Sequence, residues 1–83
     1  MEYSRARVKL PPELQRLNKT QFIKAIDEAN LGVVDDAIAR MYFLDQTPQA
    51  DIAEEFGVIR LTITRRMHSI SDRVASAASK IPQ

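Results

Sequence analysis

Apolar side chains recur along this chain at spacings of three and four rather than two, the period of a helix face and not of a strand. The first run opens at Asn18, a good N-cap, with Gln21 as its capping-box partner and Leu17 placed to meet Phe22 as a hydrophobic staple. This predicts a helix over about residues 19–29 that buries Phe22, Ala25, Ile26 and Ala29 and stops at Asn30-Leu31-Gly32. A second stripe of Val34, Ala37, Ile38, Met41 and Tyr42 predicts a helix over about 33–44. Its first turn carries Asp35 and Asp36, where the helix dipole favours negative charge. Thr47 as N-cap, with Pro48 at the first helical position, predicts a third helix over about 48–56 with Ala50 or Ile52, Ala53 and Phe56 turned inward. Beyond Gly57, the series Ile63, Met67, Ile70, Val74 and Ala77 marks one continuous face of a long helix over about 60–79.

With two glycines and no alternating apolar run, the fold class is all-α, a small helical bundle. Eighty-three residues fill one core. The domain is expected over residues 17–83, preceded by a basic N-terminal arm over 1–16, in which Pro11-Pro12 blocks a continuous helix and a short strand around Val8 is the alternative. The absence of Cys and the presence of a single His exclude a disulfide framework, a Cys/His zinc site and a Cys nucleophile. No cofactor, metal or small-molecule substrate is expected. No apolar run approaches the 18 residues of a membrane span, and MEYSRARVKL lacks the apolar stretch of a signal peptide, so the reading is a cytoplasmic protein without a membrane partner.

Net charge is +1, but it is unevenly spread: net +4 over residues 1–26, −7 over 27–58 and +4 over 59–83. Basic ends around an acidic middle suit a polyanion met by the ends, although ordinary solvated charge explains the pattern equally well.

The segment Gln49–His68 fits the template of a helix-turn-helix. Ala53 takes the position where a larger side chain would strike the second helix, and Gly57 takes the turn, where positive φ is needed. Ile52, Phe56, Val58 and Ile63 take positions that should be buried, while Arg66 stands where an apolar residue is usual and Met67 beside it is expected to rotate inward instead. A helical hairpin without a nucleic-acid role is the plain alternative.

A helix-turn-helix sends the first residues of its second helix into the major groove. Ile59, Arg60, Leu61, Thr64 and Arg65 lie opposite the Ile63/Met67/Ile70 seam and are the candidate base contacts. Arg60 and Arg65 can each make a bidentate pair with guanine, worth about 1–3 kcal/mol of discrimination. Thr64 can bond a base or offer its methyl to thymine, and Leu61 and Ile59 either meet thymine methyls or close the core. The candidate phosphate contacts are Thr47 and the amides around Gln49, with Arg66, Arg73, His68 and Lys19 beside them. A lone His such as His68 is more often a surface or boundary residue than a phosphate contact. Asp51, Glu54 and Glu55 are expected on the outer face of the preceding helix, away from a duplex.

Residues outside the motif add a resemblance. Leucine at 17, Gln21-Phe22, Ala25-Ile26, Ala39-Arg40, Pro48-Gln49-Ala50, Ala53, Gly57, Arg60, Ile63-Thr64 and His68 together resemble the KorA/TrfB group of plasmid-encoded transcriptional repressors, over Leu17–Ile70 and about two thirds of the chain. The resemblance implies a homodimer on palindromic operators of plasmid genes, associated with the bacterial nucleoid or plasmid, with Arg60 and Arg65 reading bases. Arg65 stands where those repressors carry glutamine, which implies a different operator.

Two-fold operators need two-fold proteins. The seam Ile70, Val74, Ala77 and Ile81 either pairs two copies or packs back on the helix over 19–29, and the N-terminal arm is a third candidate contact. The alternative function is a helical protein-interaction module, antitoxin-like or an adaptor. An enzyme is not expected, because Asp35-Asp36 and Glu54-Glu55 are adjacent pairs that diverge on a helix, and the chain has no glycine-rich phosphate loop.

Overall fold

Asn18 opens the first long helix as its residues predict: its side chain accepts from the Gln21 amide at 2.8 Å, and Gln21 Oε1 accepts from the Asn18 amide at 3.0 Å. The computed structural model describes residues 11–81, and every element among them is helical. Residues 1–10 of the basic arm, including Val8, lie outside the described residues. The elements are α1 (Pro12–Gln15), α2 (Lys19–Ala29), α3 (Val33–Ala39) running on into a π-helical turn (Arg40–Leu44), α4 (Gln49–Phe56) and α5 (Arg60–Ser79).

The folded body begins before residue 17. Pro11 is extended, Pro12 opens α1, and Leu14 is buried in the common core, so residues 12–15 are a helical turn of the domain rather than arm. Asn30 ends α2 in the left-handed region at φ 52°, a conformation that asparagine tolerates better than most residues. Leu31 then turns into the core.

The expected stripe of the second helix needs correction. Val34 is exposed, and the inward face consists of Ile38 and Ala39 followed by a partly buried run from Met41 to Leu44. Val34 lies in the first turn of α3, at the edge of the core, and further along the π turn, in which the Asp45 amide bonds the Arg40 carbonyl at 3.1 Å, admits an extra residue. That insertion rotates Phe43 inward, where its ring stacks on Phe22 of α2 with centroids 5.1 Å apart. Arg40 at the start of the turn donates Nε to Asp36 at 2.5 Å and Nη2 to Asp27, tying α3 to α2. Hydrogen bonding to Asp36 first, and to Asp27 next, raises the guanidinium's pKa, so its charge is permanent.

α5 runs through the middle of the molecule. Ile63, Met67, Ile70 and Val74 are buried on its inner face, and truncating Ile63, Met67 or Ile70 to alanine is expected to cost about 2–5 kcal/mol. Met67, not Arg66, fills the apolar position near the end of the motif. The distal seam is also spent inside one chain: Ile70, Val74 and Ala77 are buried, Ile81 packs on the same core, and this half of α5 lies against α1 and α2. The coiled contact between two copies is therefore corrected, since that face is already covered. No helix among the described residues is long and apolar enough to cross a membrane.

Candidate nucleic-acid interface

Helix α4 starts one residue later than its Thr47-Pro48 signal suggests. Pro48 is itself the N-cap, with ψ 149°, and its carbonyl accepts from the Asp51 and Ile52 amides at 3.0 Å each. Thr47 makes no side-chain cap; its amide instead bonds Met41 O at 2.8 Å and ties the loop back to the π turn. Of the two inward alternatives, Ile52 is buried and Ala50 is exposed.

The link between α4 and α5 is a Schellman stop. The Gly57 amide donates to Glu54 O at 3.2 Å and the Val58 amide to Ala53 O at 3.0 Å, with Gly57 at φ 68°. Ala53 is buried where the helices meet, Phe56 is half-buried, and Ile63 is buried on the far side. Val58 departs from its expected burial at 39% exposure, because its backbone bond to Ala53 fixes it on the rim of the turn rather than beneath it. Ile59 then caps α5 in extended conformation and accepts from the Thr62 amide at 3.0 Å.

The outward surface here is apolar and basic together. Ile59 is 69% exposed and Leu61 50%, so neither closes the core. Arg60 and Arg65 are exposed, and neither guanidinium has a hydrogen-bond or ion-pair partner among the described residues. Over five residues of helix their Cα atoms are separated by about 7.5 Å along the axis. Thr64 is half-buried and turns its hydroxyl to Gln49 Oε1 at 2.5 Å, with the Arg60 carbonyl 3.2 Å away. Asp51, Glu54 and Glu55 are exposed on α4.

The expected phosphate contacts divide. Arg66 Nη1 lies 2.6 Å from Asp35 Oδ1, and Arg73 Nη2 lies 3.2 Å from Asn30 O and 3.5 Å from Ala29 O, where it caps the end of α2. Both arginines thus brace α5 against its neighbours, and Arg73 stands about 20 Å along the helix from Arg60. Their sequence-based reading as phosphate contacts thus meets a chain in which both guanidiniums already have partners within the fold. Gln49 is buried, so only its backbone amide, not its side chain, faces the open end of α4. Thr47 is half-buried, while His68 and Lys19 are exposed.

The Gln49–Thr64 and Asp35–Arg66 links were not read from the sequence. Gln49 and Thr64 both fall within the motif, but its spacing carried no sign that the two share a hydrogen bond. Among the described residues no group of three or more His, Cys, Asp or Glu is arranged to hold a metal ion.

The chain matches no protein-family model, no curated protein and no solved structure.

Proposed function

We propose that the protein binds double-stranded DNA sequence-specifically and represses transcription of plasmid genes as a homodimer on palindromic operators. In this reading α4, the Gly57 turn and α5 form a helix-turn-helix, and the start of α5 is the reading head in the major groove.

The observation that carries this reading is the division of labour among the arginines of α5. Arg66 and Arg73 are bound within the fold, whereas Arg60 and Arg65 project without described partners beside exposed Ile59 and Leu61. A free guanidinium is suited to guanine O6 and N7. The unbonded amides at the start of α4 suit a backbone phosphate, since Pro48 supplies no side-chain cap. Each copy reads one half-site, and the contact between copies falls on surfaces other than the buried seam of α5.

The test is affinity for random-sequence duplex DNA as a function of salt. The log–log slope should be about −0.9 for each phosphate neutralised, and a selection from the same pool should enrich an inverted repeat. The exposed apolar patch at Val58, Ile59 and Leu61 also suits a protein partner. Salt-insensitive binding without enrichment would favour that second reading.

A further inference from the structure

We infer that the reading surface recognises thymine by its C5 methyl group, through Ile59, Leu61 and the methyl of Thr64, and that Gln49 is the positioning residue that makes Thr64 an apolar reader. This rests on the DNA-binding reading and deepens it.

The argument starts from one proton. A threonine hydroxyl can donate only once, and the Thr64 hydroxyl faces two acceptors, Gln49 Oε1 at 2.5 Å and Arg60 O at 3.2 Å. Its proton is used inside the protein, so none is left for guanine O6, guanine N7 or thymine O4. The oxygen itself is turned toward a glutamine that is only 5% exposed. With its donor spent and its oxygen turned inward, half-buried Thr64 presents its methyl as the group that no bond in the protein engages, and only an acceptor lone pair remains on the oxygen.

Gln49 accounts for why the hydroxyl stays turned in. Its Nε2 is buried with no partner among the described residues, an arrangement that costs stability, while its Oε1 is engaged by Thr64. The amide is thus favourable at only one end, the end that orients Thr64.

Charge complementarity identifies the occupant of the apolar patch. Arg60 lies between Ile59 and Leu61 and Arg65 follows on the same helix, both suit a polyanion, and no described carboxylate pairs with either arginine. Within the major groove the apolar group on a base edge is the thymine methyl. A surface that offers two free guanidiniums and three apolar groups therefore fits guanines interspersed with thymines.

The test uses the duplex recovered by selection from a random pool, resynthesised with deoxyuridine at each thymine in turn, since that base lacks only the methyl. At two or more positions per half-site wild-type affinity should fall roughly fourfold, the factor equivalent to about 0.8 kcal/mol for one buried methylene-sized group. Thr64→Ser should lose the discrimination at one of these positions and Leu61→Ala, at an exposed site, at another. Thr64→Val, which keeps the methyl and deletes the hydroxyl, should retain both. Gln49→Met should keep or raise the thermal midpoint yet reduce discrimination at the Thr64 position, because the hydroxyl, left with only the longer contact to Arg60 O, can turn outward. Equal binding of thymine and uracil sites overturns the inference while leaving DNA binding intact, as does loss in the Val variant matching loss in the Ser variant. Failure of the pool to yield any preferred sequence rejects the DNA-binding reading itself.

Discussion

Arg66 of α5 and Asp35 of α3 form an ion pair at 2.6 Å that joins two helices 31 residues apart in the sequence. Both side chains keep some solvent exposure, so the pair contributes at most about 1 kcal/mol to stability. Its larger effect is to occupy an arginine on the helix proposed to read DNA. Asp35→Asn should leave the fold nearly as stable and release Arg66 toward the phosphate backbone. We expect tighter non-specific DNA binding and a log–log salt slope steeper by about 1; an unchanged slope would show that Arg66 lies out of reach of the duplex.

Arg73 should behave in the opposite way. It caps the Ala29 and Asn30 carbonyls, so Arg73→Ala is expected to lower stability by about 1 kcal/mol, with a drop of about 4–8 °C in the melting midpoint. Duplex affinity measured well below that midpoint should not change. A uniform loss of affinity at unchanged stability would return Arg73 to the phosphate contacts.

The contrast between these arginines marks what the sequence could and could not convey. Periodicity placed α2 and α5 because Ala25, Ile26, Ile63, Met67, Ile70 and Val74 repeat at helical spacing, and the boundaries Lys19–Ala29 and Arg60–Ser79 follow from local caps and breaks. The π turn at Arg40–Leu44 was not legible, because the stacking of Phe43 on Phe22 comes from tertiary packing that a fixed 3.6-residue period does not encode. Leu14 was hidden for a related reason: one helical turn is too short to show a period. At the candidate site, the outward direction of Arg60, Leu61 and Arg65 was readable from the seam opposite them. The partners of Arg66, Arg73 and Thr64 were not, since each lies on another element brought near only by folding.

Gly57 separates a conformational demand from a steric one. It sits at φ 68°, but a Cβ built there meets no atom within 4 Å. Gly57→Ala should therefore cost only the left-handed penalty, about 1–2 kcal/mol, and Gly57→Asn less. Chemical denaturation of the two variants checks the order. A loss well above that range in both would mean that the turn is crowded.

Ser71 offers a gain. Its hydroxyl is buried in α5 with no partner among the described residues, and serine is also the poorer helix former. Ser71→Ala should raise stability by about 1 kcal/mol. A decrease would indicate that the hydroxyl has a bound water or a partner to lose.

The central claim is that the first turns of α5 read base edges, and the most direct measurement is the base preference of Arg60→Ala and Arg65→Ala in selections from random duplexes. The account predicts that each variant keeps its fold, relaxes preference at one base position per half-site and loses about 1–3 kcal/mol for the preferred sequence but little for others. Equal weakening on all sequences, with the preferred site unchanged, would contradict it.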